Sequence, residues 1–84
     1  MSRQTTVEID DLRVILRESA GTPDGVDLDG DILDTGFDVL GYDSIALLET
    51  VARITRDYQV AVDDDAAVTA RTPRELLALV NESR

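Results

Sequence analysis

Residues 40–49 read LGYDSIALLE, and this stretch decides how the rest of the chain is parsed. Asp43 is a strong helix N-cap, and the run behind it carries the period of an amphipathic helix. On a 3.6-residue wheel Leu47, Leu48, Val51, Ile54 and Tyr58 form one broad apolar stripe. Glu49, Thr50, Arg53, Arg56 and Asp57 gather on the opposite side, and Ile45 and Ala46 fall at or beyond the stripe's edge. A helix is therefore predicted from Asp43 to about Tyr58, with Ser44 at its mouth.

Upstream, Ile9, Leu12, Ile15 and Leu16 recur at helical spacing from about Val7 to Ala20, with acids opening the segment and Gly21 closing it. The turn cluster Thr22-Pro23-Asp24-Gly25 then opens a stretch to Gly41 with no sustained period. A structureless loop of about 20 residues in a small domain signals either a wrong element assignment or a functional segment. Val26, Leu28, Ile32, Leu33, Phe37 and Leu40 are available to pin it, with room for a short helical turn. Downstream, Val60-Ala61-Val62 imitates a strand but has no pairing partner, and Asp63 to Asp65 cap a single turn through Val68. Thr72-Pro73-Arg74-Glu75 is a strong helix start, with a threonine cap, proline at the first position and glutamate completing a capping box. The expected fold is all-α, a small four-helix bundle with a short third helix and a long first loop. Residues 1–6 are expected to form a flexible N-terminus and 7–84 a single domain.

Composition narrows the chemistry. The 84 residues contain no His and no Cys, and all eight basic residues are arginines. Disulfides and thiolate metal sites are excluded. Aromatic residues make up only 4% of the chain, so the core must be aliphatic. Eighteen acids give a formal net charge of −10, which argues against nucleic acid as a partner. No apolar run reaches membrane-spanning length and no signal peptide is evident, so a cytoplasmic protein is expected. The charge is also uneven. Between Glu18 and Ala52 there is no basic residue, while Glu18, Asp24, Asp27, Asp29, Asp31, Asp34, Asp38, Asp43 and Glu49 are acidic. Ser44 lies inside this segment, whose field favours a basic partner.

Three roles for Ser44 are open. As a nucleophile it lacks the neighbouring histidine or lysine that would activate it, and GYDS does not fit the G-x-S-x-G elbow. No catalytic residue is therefore expected. As a plain helix cap it would need no further function. As a passive attachment point it would need no base of its own, because the modifying enzyme supplies one.

LGYDSIALLE resembles the phosphopantetheine-attachment motif of acyl carrier proteins, whose core is Asp-Ser followed by an aliphatic residue. The tyrosine of GYDS, the following ALLE and TPRELLALVN at 72–81 are most similar to the discrete carriers of type II (aromatic) polyketide synthases. The resemblance implies a non-catalytic carrier with 4′-phosphopantetheine esterified to Ser44, holding growing polyketide chains as thioesters. It implies that Asp43 helps position metal and cofactor during modification. It also implies that Ile45 and Glu49 lie where partner enzymes dock, with acids of the first loop such as Asp38. The partners so implied are a phosphopantetheinyl transferase, a ketosynthase/chain-length factor, an acyltransferase, a ketoreductase and cyclases, and the carrier itself is expected to be a monomer. Arg53 and Arg56 depart from fatty-acid carriers that are acidic along this whole helix, which shifts partner recognition toward the first loop and Glu49.

Arg74 and Asn81 share a face of the last helix with Leu77 and are candidates to hydrogen-bond a polyketonic chain, and Leu47, Val51 and Leu77 are candidates to line a transient pocket. Asp27-Leu28-Asp29-Gly30-Asp31 imitates an EF-hand start, but Ile32 occupies the glycine position and Asp38 the position of the bidentate glutamate, so no metal site is expected. The alternatives are a carrier of fatty acyl or aminoacyl cargo, or an unmodified acidic adaptor or calcium-binding module. Peptidyl carriers usually have a second glycine where Tyr42 stands.

Overall fold

A computed structural model describes residues 6–82. Of the segment expected to be flexible, residues 1–5 lie outside the described residues. Five helices follow in chain order: α1 Ile9–Ala20, α2 Phe37–Leu40, α3 Ser44–Tyr58, α4 Asp64–Thr69 and α5 Pro73–Glu82. Four are those the sequence predicts, and α2 is the helical turn for which the loop left room. Val60, Ala61 and Val62 form no strand, and Val60 is instead buried as a core residue of the α3–α4 connection.

Local chemistry explains each boundary. At the start of α1 the Glu8 side chain and Asp11 form a reciprocal capping box, with Asp11 Oδ2 accepting from the Glu8 N–H at 3.0 Å. Gly21, at φ 79°, ends the helix and donates its N–H to the Arg17 carbonyl. Asp63 caps α4 by accepting from the Asp65 N–H. At α5 the Glu75 N–H donates to Thr72 Oγ1 at 3.2 Å, as expected. Glu75, however, accepts from the Arg71 N–H at 3.0 Å instead of closing the box on Thr72.

The helices pack through an aliphatic core. Leu12 and Leu16 of α1, Val51 and Ile54 of α3, Ala67 of α4 and Leu76 and Val80 of α5 are all essentially inaccessible. α1 packs mainly against α3 and also against α5, while α4 lies on α3. One sequence assignment is corrected here. Thr50 was placed on the polar side of α3, yet it is fully buried. It sits at the edge of the true buried arc beside Ile54, and its hydroxyl donates to the Ala46 carbonyl one turn back at 2.9 Å. Satisfied within its own helix, that hydroxyl can be buried at little cost.

The long first loop is held by side chains in place of regular structure. Leu28, Ile32 and Phe37 are buried in the core. The Arg13 guanidinium donates from Nε to the Leu28 carbonyl at 2.6 Å and from a terminal nitrogen to the Gly30 carbonyl at 2.8 Å. Arg17 pairs with Asp29, and Asp27 accepts from the Asp29 N–H at 3.1 Å. The loop's far end is tied to α5 and its approach, with the Arg74 N–H donating to the Leu33 carbonyl at 2.9 Å and the Phe37 N–H to the Arg71 carbonyl at 2.8 Å.

Replacing Arg13 by Ala should destabilise the fold by about 1.5–3 kcal/mol, the range for hydrogen bonds to a charged group. Urea denaturation checks the magnitude. Hydrogen exchange checks the place, with protection lost around residues 28–30 before it is lost in α3.

Candidate functional site

The serine segment is built from two turns in succession. Gly36 starts α2, and Gly41 ends it in the left-handed region at φ 91°. That glycine is required twice over. Its conformation disfavours side chains, and a methyl group there would lie 3.1 Å from two carbons of Pro23. Tyr42 follows and is buried, with its ring edge-on to Phe37 at 6.5 Å between centroids and 72° between planes. Its hydroxyl donates to the Gly21 carbonyl at 2.7 Å. The neck of the first loop is thereby closed, with Gly21 and Pro23 at its beginning held against Gly41 and Tyr42 at its end.

Asp43 then caps α3. It is extended at φ −97° and ψ −175°, and its carboxylate accepts from the Ala46 N–H at 2.9 Å. Its carbonyl takes the Leu47 N–H at 3.0 Å. The cap is therefore Asp43, not Ser44. Ser44 is the first helical residue, exposed, and its hydroxyl makes no hydrogen bond among the described residues. The N–H groups of Ser44 and Ile45 precede the first intrahelical bond, so they and the helix dipole face the space beside that hydroxyl.

An open cleft of about 720 Å³ begins at this point. It is lined by Phe37, Asp38, Tyr42, Asp43, Ser44 and Leu47 from α2, the start of α3 and their junction, and by Val68, Ala70, Arg71 and Thr72 from α4 and the approach to α5. The cleft thus joins an unengaged hydroxyl to a lining of mixed apolar and polar groups, a surface suited to a chain attached at one end. It offers Ser44 no base, since the nearest ionisable groups are carboxylates already accepting backbone N–H groups. Those bonds are Asp43 to Ala46 and Asp38 to Val39, the latter at 2.8 Å.

The residues singled out in the sequence distribute unevenly. Asp38, Asp43, Ser44 and Leu47 come together around the cleft. Ile45 stands 67% exposed beside them, and Glu49 is exposed one turn further along α3. Val51 is core, and Leu77 is half-buried, packed against the core. Arg74 forks onto Asp34 at 2.7 and 3.1 Å, and the pair holds the Asp34 carboxyl below its usual range. Asn81 makes two bonds of 3.0 Å to the Val7 backbone, donating from Nδ2 to the carbonyl and accepting the N–H at Oδ1. Both polar groups of α5 are thus engaged within the protein, away from the cleft. Sequence reasoning missed Val39, which is 73% exposed on α2, and Val68, Ala70 and Arg71 among the residues lining the cleft. No periodic signal marks them, because they lie in one-turn helices and connections.

Fold and site together define a small helical domain that presents an exposed serine at a helix start, above an open cleft. Residues 10–80 match the family model described as a phosphopantetheine attachment site. The chain is 52% identical to the oxytetracycline polyketide synthase acyl carrier protein of Streptomyces rimosus, covering 94% of this chain and 83% of that one. It is 53% identical to the actinorhodin polyketide synthase acyl carrier protein of Streptomyces coelicolor, covering 92% and 90%. The solution structure of the actinorhodin carrier bearing a 3,7-dioxo-octyl group superposes with a TM-score of 0.87 at 52% identity, over 95% of this chain and 93% of that one. The chain belongs to the acyl carrier proteins of type II polyketide synthases. Members of this family carry polyketide intermediates on a phosphopantetheine prosthetic group, and this chain is such a carrier.

The neck bond gives a test in two parts. Tyr42→Phe should cost about 0.5–1.5 kcal/mol near neutral pH through loss of one hydrogen bond. Burial also raises the Tyr42 phenol above its usual value of 10.0. A raised folded-state value means that stability is fully present below about pH 10 and is lost as pH rises toward the folded value. The gap between wild type and Tyr42→Phe in denaturant midpoint should therefore narrow above pH 10. Tyr58 is raised in the same direction and remains in both proteins.

Proposed function

We propose that Ser44 is the residue esterified by 4′-phosphopantetheine, and that residues 7–84 act as one non-catalytic carrier domain. The observation that carries this reading is the division of labour at the start of α3. Asp43 performs the cap and leaves the Ser44 hydroxyl accessible and unbonded. The residues present fit the group. An exposed hydroxyl accepts the ester, and the free N–H groups of Ser44 and Ile45 face a phosphate. The adjoining cleft has room for part of an arm.

The bound group supplies the thiol on which the acyl chain is carried as a thioester. Everything else asked of this chain is presentation. The closed neck and the Asp43 cap hold Ser44 in one place. Exposed Ile45 offers a compact apolar contact, and Asp38, Asp43 and Glu49 around it orient a basic partner surface. Arg53 is drawn back onto Glu18 and Asp57 at 2.7 and 2.6 Å, so the cations of α3 do not cancel the charge beside the serine.

On this reading a phosphopantetheinyl transferase, the ketosynthase/chain-length factor, an acyltransferase, a ketoreductase and cyclases visit this surface in turn. The carrier works as a monomer in the cytoplasm. No helix among the described residues is long and apolar enough to cross a membrane.

Intact mass before and after incubation with a broad-specificity phosphopantetheinyl transferase, magnesium and coenzyme A tests the assignment. Wild type should gain one phosphopantetheine and Ser44→Ala none. Equal gain on both proteins, or none on folded wild type initially free of the group with two different transferases, would end it. Ile45→Asp should retain the fold, because the side chain is solvent-exposed, and should slow loading by at least about 10-fold through loss of an apolar anchor.

A further inference from the structure

The described arginines are not equivalent. Arg13, Arg17, Arg53, Arg56 and Arg74 each lie within ion-pair distance of a carboxylate. Arg71 has no carboxylate partner among the described residues, yet its backbone is engaged at both ends. Its N–H donates to Glu75 at 3.0 Å, and its carbonyl accepts from the Phe37 N–H at 2.8 Å. A fixed main chain thus carries an exposed guanidinium, without a carboxylate partner among the described residues, at the cleft that Ser44 also lines. Among the described residues Arg71 is the one basic residue lining that cleft, and the two acids that line it, Asp38 and Asp43, each already accept a backbone N–H.

We propose that Arg71 is a second anchor for the prosthetic arm, pairing across the cleft with the phosphodiester that joins the arm to Ser44. This rests on Ser44 being the attachment residue. The phosphodiester is the anion best placed for such a contact, because it is bonded directly to the serine oxygen and stays at the cleft mouth whatever the cargo. It is singly charged at neutral pH, and the planar fork of a guanidinium matches its two non-bridging oxygens. The carboxylates of Asp38 and Asp43 work against a phosphate at this rim. A cation among the residues lining the same cleft offsets them and draws the arm into the cleft that Val68 and Ala70 also line. For an exposed pair the bias amounts to roughly a two- to five-fold shift in favour of the arm lying along the cleft.

The test uses wild type, Arg71→Ala and Arg71→Lys, each loaded with phosphopantetheine and each checked by intact mass. Because the Arg71 side chain is exposed and its anchoring bonds are main-chain, all three should fold and load. Failure of wild type to load would remove the attachment reading, and this proposal with it. In loaded protein, the Arg71 Nε–H resonance should move relative to the unloaded form. The phosphorus-31 resonance should differ between wild type and Arg71→Ala, with Arg71→Lys restoring part of the difference and high salt reducing it. An Arg71 resonance indifferent to loading, together with identical phosphorus spectra in all three proteins, would overturn the proposal. So would a response that appears only when the thiol carries a carboxyacyl group, because the anion bound by Arg71 would then be the cargo's carboxylate.

Discussion

The bond from the Tyr42 hydroxyl to the Gly21 carbonyl is the constraint on which the placement of the serine depends. It joins the end of α1 to the residue just before the α3 cap, across 21 residues of sequence. The loop is also held by its buried side chains and by Arg13, but this bond is what fixes its end, beside the serine, to its beginning. With it, and with Pro23 seated against Gly41, the loop becomes a closed unit whose ends meet beside Ser44. The ring of Tyr42 contributes a second tie, since its contact with Phe37 couples the neck to α2. A small domain with few aromatics has spent two of its three on this corner.

Electrostatics follow from how the arginines are used. Arg13 and Arg17 of α1 reach the acidic loop at Leu28, Gly30 and Asp29, while Arg74 reaches it from α5 at Asp34. These cations hold the loop's shape. Arg53 bridges α3 to Glu18 of α1. A chain carrying a net charge of −10 would otherwise suffer self-repulsion in the loop, and the arginines relieve it where the backbone needs holding. Around Ser44 no such pairing occurs. Asp38, Asp43 and Glu49 remain exposed there and outnumber the one cation, Arg71, among the described residues lining the cleft. The uneven charge seen along the sequence is thus sharpened by folding.

Much of this was legible beforehand because helices announce themselves by period and by caps. The α3 cap at Asp43, the glycine stop of α1 and the Thr72-Pro73 start of α5 all depend on residues within one turn of the boundary, which a sequence displays directly. Thr50 was misplaced because side-chain polarity is a poor guide when a hydroxyl can bond to its own helix. The loop resisted for a different reason. Arg13 to Leu28 and Tyr42 to Gly21 are side-chain contacts to backbone carbonyls, and a carbonyl carries no sequence signature. The part of the cleft built by α4 and the approach to α5 was invisible on the same grounds, since Val68, Ala70 and Arg71 join Ser44 in one cleft only through tertiary packing.

The position of Arg71 in that lining bears on what Arg74 and Asn81 offer. Both lie on α5 at the spacing that suggested contact with a polar cargo, but Arg74 is bonded to Asp34 and Asn81 to Val7. The N–H groups already bonded are not free for a polyketone, which leaves donors such as Arg74 Nη1 and the second N–H of Asn81 Nδ2. Arg71 has no such partner to give up. A guanidinium on an anchored main chain, beside a cleft open to the serine, can bind an anion without costing the fold an interaction. Contacts between carrier and arm are therefore better sought on the Arg71 wall than on the polar face of α5.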